Sequence, residues 1–91
     1  MEKTIVFLPS THRDLLWFHR YYTSVFPDGR ARALTHYHAM LDALKRHPHI
    51  GRPADVPGLR ELPIARTPFI VVYRIAGDEI QILRIRDSRR A

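Results

Sequence analysis

The sequence predicts an α+β chain whose elements follow the order β-α-α-β-β-β, and three observations lead to this prediction. A β-branched and aromatic run opens the chain, and two stretches with apolar residues at helical spacing follow it. Two further apolar runs, separated by a turn signal, come near the end. The 91 residues have room for one small domain, residues 1–91, and exclude a barrel or a dinucleotide-binding fold.

The chain begins with a predicted strand and a predicted helix. The strand covers residues 4–8, because the apolar run there is ended by Pro9. Ser10 and Thr11 are placed to cap the helix that follows, and Asp14 suits the positive end of its dipole. The apolar and aromatic positions of this helix recur at helical spacing: Leu15, Leu16, Phe18, His19, Tyr22, Val25 and Phe26.

A Pro-Asp-Gly break at residues 27–29 separates this helix from a second one. The second helix has basic residues in its last turn, which suit the negative end of its dipole, and it ends before Pro48. Its apolar stripe follows the i, i+3, i+4, i+7 pattern: Ala33, Leu34, Tyr37, Met40, Leu41 and Leu44. Two helices joined by so short a turn predict an antiparallel helical hairpin.

A proline-rich loop and a short strand are predicted after the hairpin. Residues 47–57 contain three prolines and Gly51, which indicates a loop. Residues 58–63 are compatible with a short strand that Pro63 bends or leaves at a sheet edge. We expect this part of the chain to connect the helices to the main sheet.

The strongest strand signal lies at residues 69–75, where an unbroken apolar run predicts burial on both faces for part of its length. A turn signal at residues 76–79 follows, and residues 79–86 return as the last strand. The sequence therefore predicts a β-hairpin at the centre of the sheet.

The charge of the chain is basic and almost entirely carried by arginine. Fifteen basic and nine acidic residues give a formal net charge of +6, and every basic residue except Lys3 and Lys45 is arginine. Arginine suits planar, bidentate recognition of carboxylate and phosphate groups. We therefore expect a polyanion or a flexible acidic protein segment as partner. A solvated surface that only keeps the chain soluble is the alternative.

Several kinds of site are disfavoured by what the sequence lacks. The chain has no cysteine, which excludes disulfides and thiolate metal sites, and its six histidines show no recognisable metal-ligand spacing. Neither a nucleophile elbow nor a glycine-rich phosphate loop occurs. We predict no metal and no cofactor. The N-terminal apolar run is too short for a signal peptide and no stretch suits a membrane span, so we expect a cytoplasmic protein.

A cluster of arginines on the predicted sheet is the candidate site: Arg60, Arg66, Arg74, Arg84 and Arg86. Arg84 and Arg86 share one face of the last strand because side chains alternate with a period of two. Such a cluster suits a phosphate and the charge of a pentacoordinate transition state. The acid or base candidates, if the reaction is RNA cleavage, are Glu61, Asp87, His47 and His49. Surface ion pairs across strands, such as Arg60 with Glu79, are the alternative.

Four segments of the second half come in an order and spacing typical of one known superfamily: His47-Pro48-His49-Ile50-Gly51-Arg52-Pro53, Gly58-Leu59-Arg60-Glu61-Leu62-Pro63, Pro68-Phe69-Ile70-Val71-Val72-Tyr73-Arg74-Ile75 and Ile80-Gln81-Ile82-Leu83-Arg84-Ile85. They closely resemble the ParE/RelE superfamily of bacterial toxins, which belong to type II toxin–antitoxin modules. The resemblance covers most of residues 47–90, and the helical hairpin before them agrees in kind.

The resemblance implies two helices packed on one face of a small, mostly antiparallel sheet. It also implies a cognate antitoxin whose flexible, often acidic C-terminal segment wraps the toxin in a hetero-oligomeric complex. The helix stripe and the exposed strand edges are then candidate docking grooves. The candidate residues for binding antitoxin or target are Arg60, Arg66, Arg74, Arg84, Arg86, Arg89 and Arg90.

The resemblance is greater to the ParE branch, which poisons DNA gyrase, than to the RelE branch, which cleaves mRNA in the ribosome. The RelE pattern has another arginine where this chain has Val71. Family members commonly end the last strand with His-Gly-Arg-Arg, whereas residues 87–90 read Asp-Ser-Arg-Arg. Gyrase inhibition is therefore the leading expectation. A ribosome-dependent mRNA endonuclease and an inactive module that binds an acidic segment are the alternatives. The nuclease candidates would be Arg60, Glu61, Arg66, Arg84 and Asp87.

Overall fold

A computed structural model describes residues 2–89, in which two helices pack on one face of a five-stranded sheet. The α+β class and the order of the predicted elements are confirmed. The helices and strands are β1 (Thr4–Phe7), α1 (His12–Arg20), α2 (Arg30–Arg46), β2 (Arg52–Pro53), β3 (Arg60–Pro63), β4 (Phe69–Ala76) and β5 (Glu79–Asp87). No helix within residues 2–89 is long and apolar enough to cross a membrane.

The sheet has the strand order β1-β5-β4-β3-β2, and it is mostly antiparallel, as expected. Only β1, which pairs with β5, runs parallel to its neighbour among the described strands. The β4–β5 hairpin forms the centre, and its tight turn uses Gly77 at a φ of 59°, a conformation that glycine adopts at little cost. Val72 pairs with Arg84 whereas Tyr73 pairs with Ile82, so Leu83 is the extra residue of a β-bulge.

The core lies between the helices and the face of the sheet that they cover, which we call the inner face. Alternate β4 residues, Phe69, Val71 and Tyr73, are fully buried there. An aromatic cluster joins the two layers, with the rings of Phe18 and Phe69 meeting edge to face at 5.0 Å between centroids. The other buried members of the core are Tyr21, Tyr22, Ala33, Met40, Leu44, Ile64, Ile80, Ile82 and Ile85.

The start of α1 differs from the prediction, because neither Ser10 nor Thr11 caps the helix. Thr11 already has helical backbone angles, since a 3₁₀ turn at Pro9–Thr11 leads directly into α1. Its hydroxyl donates to the Leu8 carbonyl at 2.7 Å, and the Ser10 hydroxyl donates to the Leu83 carbonyl at 2.7 Å. Both hydroxyls therefore fix the crossing from β1 into α1 instead of serving the helix terminus. The predicted helix then continues past α1 as a π-helical turn at Tyr21–Val25.

The loop predicted at residues 47–57 contains the two-residue strand β2, which corrects that prediction. Arg52 pairs with Glu61 and Pro53 with Arg60 at the edge of the sheet. The loop is held against the inner face by the Tyr73 hydroxyl, which donates to the Pro48 carbonyl and accepts from the Gly51 amide. A Cβ at Gly51 would lie 2.7 Å from that hydroxyl oxygen, so the close approach requires glycine.

Candidate functional site

The predicted arginine cluster is divided between the two faces of the sheet. By strand register, Arg60 lies opposite the buried Tyr73 and faces inward, whereas Glu61 lies opposite Val72 on the outer face, which the helices leave uncovered. Arg84 and Arg86 share one face of β5, as predicted, and this is the outer face because they pair with Val72 and Ile70. The adjacent residues Arg60 and Glu61 of β3 therefore point to opposite faces of the sheet.

A groove opens where β5 continues beyond the end of β1. Because β1 pairs only with residues 79–82 of β5, the last part of β5 has no strand beside it, and the start of α1 lies there instead. The resulting β5–α1 groove has a volume of about 690 Å³. It is lined by Arg13, Asp14, Trp17, Arg84, Ile85, Arg86 and Asp87.

Asp14 binds the open edge of β5 inside this groove. Its Oδ2 accepts from the Arg84 Nε at 2.7 Å and from the Ile85 backbone N–H at 2.9 Å, while its Oδ1 accepts from the Arg84 Nη2 at 3.2 Å. These hydrogen bonds raise the pKa of Arg84. The Asp14 side chain is 13% exposed and that of Arg84 is 56% exposed. The groove thus already contains one carboxylate held by a guanidinium and a backbone amide.

Asp87 lies at the inner end of the groove, and its carboxylate is enclosed by donors. Its Oδ1 accepts from the Arg89 backbone N–H and Nε, both at 3.0 Å, and its Oδ2 accepts from the Arg89 Nη2 at 2.9 Å and the Trp17 Nε1 at 3.2 Å. The side chain is 2% exposed. The hydrogen bonds from Arg89, above all, hold the pKa of Asp87 far below its usual range although burial opposes them.

Arg89 completes a cluster that holds the end of the described chain, and we call Trp17, Tyr21, Asp87 and Arg89 the tail latch. The Arg89 guanidinium lies 4.6 Å from the centroid of the Tyr21 ring and donates to the Tyr21 hydroxyl at 3.0 Å. The ion pair with Asp87 raises the pKa of Arg89. Arg90, the next predicted binding residue, lies outside the described residues.

Glu61 occupies the middle of the outer face between two arginines. Its Oε1 accepts from Arg52 at 3.1 Å and its Oε2 accepts from Arg86 at 3.0 Å. Burial acts to raise the pKa of Glu61, but the hydrogen bonds from Arg86 and Arg52 outweigh it, so the pKa lies below its usual value. Arg74 lies on the same face and donates to the Gln81 side chain at 2.7 Å.

Arg60 holds the loop after α2 and forms no pair with Glu79, so the example given for the alternative of cross-strand ion pairs is wrong. It donates to the Gly51 carbonyl at 2.6 Å and to the His49 carbonyl at 3.3 Å. Glu79 instead accepts from Gln81 on the outer face. The inward direction of Arg60 explains the difference, because the two side chains leave the sheet on opposite faces.

Of the residues predicted for a nuclease site, Arg84 and Asp87 lie together because both line the β5–α1 groove, whereas the others lie elsewhere. Arg60 lies under the loop after α2, Glu61 lies on the outer face, and Arg66 is exposed in the turn between β3 and β4 with a φ of 61°. Asp87 is enclosed in the tail latch, and His47 and His49 are exposed in the loop after α2. The described residues 2–89 also hold no group of side chains that suits a metal ion.

Sequence reasoning missed the parts of the groove that α1 supplies, namely Arg13, Trp17 and the Asp14 contact with β5. The sequence places Asp14 only at the N-terminus of its own helix, whereas its partners are 70 and 71 residues away. One signal was present for Asp87, since it lies two residues after the apolar Ile85 and therefore shares the buried face of β5.

Comparison with known proteins agrees with this architecture. The family described as ParE toxin of type II toxin-antitoxin system, parDE, matches residues 5–91. The Sinorhizobium fredii protein Y4kP, itself named as a toxin, is 39% identical over 59 residues, which cover 65% of this chain and 60% of Y4kP. The match thus spans less than two thirds of that relative.

Two solved structures share the fold. A chain of the chromosomal ParDE system from P. aeruginosa superposes with a TM-score of 0.75 at 29% identity, covering 94% of this chain and 96% of that one. The YoeB dimer structure from Staphylococcus aureus gives a TM-score of 0.65 at 14% identity, covering 94% and 97%. The family match over nearly the whole chain and the shared fold lead to one conclusion: the chain belongs to the ParE family of toxins of type II toxin–antitoxin systems.

Proposed function

We propose that this toxin inhibits DNA gyrase in the cytoplasm and acts by binding its target, without cutting RNA. The observation that carries the proposal is the state of Asp87, at the position where superfamily members commonly have histidine. Its carboxylate is 2% exposed, and its pKa is held far below neutral by Arg89. Such a group has no proton to give to a leaving oxygen at neutral pH, and its two oxygens already accept hydrogen bonds from Arg89 and Trp17, which makes it a poor base.

The scattered positions of the other nuclease candidates support the same proposal. RNA cleavage through the 2′-hydroxyl needs a base, an acid and a cationic group around one phosphate. Arg60 and Glu61 lie on opposite faces of the sheet, and Arg60 is engaged by two backbone carbonyls. The higher identity to the ParDE chain than to the YoeB chain, 29% against 14%, also favours the ParE branch.

For neutralisation, we propose that a flexible acidic segment of the cognate antitoxin binds in the β5–α1 groove. Asp14 is an example of how a carboxylate is held in this groove, because it accepts hydrogen bonds there from both a guanidinium and a backbone amide. Arg13 is exposed at the same groove, and Arg86 keeps 40% of its side chain exposed. These arginines provide further positions for carboxylates of a bound segment.

The test of the target uses the chain expressed alone and purified gyrase. Expression should stop growth, and the purified chain should reduce supercoiling by gyrase or leave gyrase-linked DNA breaks. Unchanged supercoiling together with mRNA cut at ribosomes would contradict the proposal and favour the endonuclease. Normal growth with abundant folded chain would contradict both and favour an inactive module that binds an acidic segment.

The test of the groove uses a synthetic peptide from the acidic part of the antitoxin encoded beside this gene. Replacing Arg13 and Arg86 together by alanine should weaken binding about 10-fold or more, since each removes a charged hydrogen-bonding partner. Arg74→Ala is the matched control, because Arg74 is an exposed arginine of the outer face and does not line the groove. An equal loss in the control would indicate general charge attraction without a defined groove.

A further inference from the structure

The three open edges of the sheet differ in how they are protected against pairing with another strand. At one side, β2 has only two residues, one of which is Pro53, and the exposed Arg52 precedes it. Short length, proline and charge are the usual means of blocking an edge. At the end of β5, the Leu83 carbonyl and the Ile85 amide are already bound by Ser10 and Asp14. Both of these edges are therefore closed.

The free edge of β1 is short but is less protected, because its four residues include no charged residue and no proline. The amides of Thr4 and Leu8 donate to the carbonyls of Asp78 and Ile82, so Thr4, Val6 and Leu8 direct their backbone groups toward β5. Ile5 and Phe7 between them direct their N–H and C=O groups to the opposite, open side. Within residues 2–89, no hydrogen bond reaches these groups on that side.

The side chains of β1 are apolar and only partly buried, so they are suited to burial against another strand. Residues 4–8 read Thr-Ile-Val-Phe-Leu and carry no charge and no proline. Ile5 and Phe7 pack against the edge of the core but remain only half-buried, and Val6 is half-buried on the outer face. In a chain of net charge +6, this stretch brings no like charges together when two copies meet there.

We propose that β1 is a homodimerisation edge, at which β1 pairs antiparallel with β1 of a second copy around a two-fold axis through Val6. In this register Val6 lies opposite Val6 of the other copy, and Ile5 lies opposite its Phe7. Ile5 and Phe7 then exchange their open N–H and C=O groups, giving four hydrogen bonds. Because both side chains face inward, each Ile5 covers a Phe7 and the two cores join across the axis.

The absence of charge on residues 4–8 is what favours a second copy over an acidic antitoxin segment. An acidic antitoxin segment finds arginines in the β5–α1 groove, whereas β1 offers it only apolar side chains. Helix α2 lies near β1, but its backbone hydrogen bond to this segment, from the Lys3 amide to the Lys45 carbonyl at 3.5 Å, precedes the stretch from Ile5 to Phe7. Lys3 would lie opposite Pro9 of the other copy, beyond the four bonds.

A single engineered cysteine tests the register directly, because the chain has no cysteine of its own. In an antiparallel pair without mutual hydrogen bonds, the Cα atoms lie about 4.5 Å apart, within the roughly 4.4–6.8 Å that a disulfide spans. Val6→Cys should therefore form a covalent dimer under mild oxidation. Thr4→Cys, on the same face, lies opposite Leu8 and should crosslink about 10-fold more slowly. Equal rates for the two variants, or no crosslinking of either, would overturn the proposal.

The second measurement is the oligomeric state of charge variants at Val6, determined by sedimentation equilibrium. The full chain is made for this purpose in a cell-free system. The unmodified chain should dimerise reversibly. Val6→Lys and Val6→Glu should each be monomeric at the same concentration, and their mixture should dimerise again, since opposite charges then meet. A chain that stays monomeric at all concentrations would overturn the proposal. So would a monomer whose Val6→Lys variant loses antitoxin binding, which would assign the edge to the antitoxin.

Discussion

Two carboxylates of the same sheet are each held by arginine, yet they lie in different surroundings. Asp87 faces inward opposite Phe69, is 2% exposed and is bound within the tail latch. Glu61 faces outward opposite Val72, is 17% exposed and is bound by Arg52 and Arg86. Both pKa values are lowered, so similar pairing chemistry occurs in both places. What differs is how strongly water competes for each carboxylate.

This difference separates a structural ion pair from a surface one. When a buried carboxylate loses its hydrogen-bond donors, its oxygens are left without partners. When the carboxylate is removed instead, the buried donors are left without an acceptor. A partly buried carboxylate such as Glu61, which water still reaches, can exchange its arginines for water at a lower cost, and those arginines are more exposed than the carboxylate itself. We therefore expect Asp87 to matter for folding and the arginines around Glu61 to matter, if at all, for contacts with other molecules.

The largest expected effect comes from Asp87→Ala. The substitution removes the acceptor of the tail latch, releases Arg89 from Tyr21 and leaves a hole on the inner face of β5. We expect the free energy of unfolding to fall by about 3 kcal/mol. Urea unfolding followed by circular dichroism measures this change. A loss below about 1 kcal/mol would place Asp87 in the same class as a surface carboxylate.

Acid should remove most of the difference in unfolding free energy between the unmodified chain and Asp87→Ala. The pKa of Asp87 is lower in the folded chain than the roughly 3.9 of an unfolded aspartate, so its stabilisation is present above about pH 4. It is lost as the pH falls further toward the folded pKa. The gap between the unmodified chain and Asp87→Ala should therefore be widest near neutral pH and narrow below pH 4. If the difference in unfolding free energy stays constant from neutral to strongly acid pH, the ionised form of Asp87 is not what stabilises the folded chain.

An intermediate effect is expected at Asp14, which is partly buried. Asp14→Ala removes the acceptor of the Ile85 amide and the partner of Arg84. We expect a loss of about 1–2 kcal/mol and faster hydrogen exchange of the Ile85 amide. Asp28→Ala is the control, because Asp28 is an exposed aspartate of the helical region and does not contact β5. Unchanged exchange at Ile85 would contradict the role of Asp14 in closing that edge.

The smallest expected effect is at Glu61. Glu61→Gln keeps the shape of the side chain and one of its acceptor oxygens while removing the charge between Arg52 and Arg86. We expect the free energy of unfolding to change by less than about 1 kcal/mol. Thermal unfolding measures it, and a loss as large as that of Asp87→Ala would remove the distinction between the two carboxylates.

Local patterns in the sequence predict most of the fold. The apolar run of β4 and the glycine of the turn predict the central hairpin, because these signals act over a few residues. The apolar stripe of α2 predicts most of its buried side, but Leu34, a member of that stripe, is exposed. Strand β2 was missed because two residues that include Pro53 carry no strand pattern. The contacts of Asp14 and Trp17 with β5 span 70 residues and depend on packing that no local pattern encodes.

The predicted arginine site is divided for a related reason, because the face on which a side chain lies depends on pairing between strands that are distant in the sequence. Alternation along a strand predicts that Arg84 and Arg86 share a face, and they do. The same rule applied across β3 would have separated Arg60 from Glu61, but only the register with β4 shows which of them faces inward. Arginines that look like one cluster in the sequence therefore lie in four places: the loop after α2, the turn between β3 and β4, the outer face and the groove.

One measurement tests most directly whether this toxin acts by binding and not by catalysis. The folded chain is added, at neutral pH, to a reconstituted translation reaction whose mRNA is labelled, with supercoiling by gyrase measured in parallel on the same preparation. Because Asp87 is ionised and enclosed, we predict intact mRNA together with reduced supercoiling. Ribosome-dependent mRNA fragments with normal supercoiling would contradict the account.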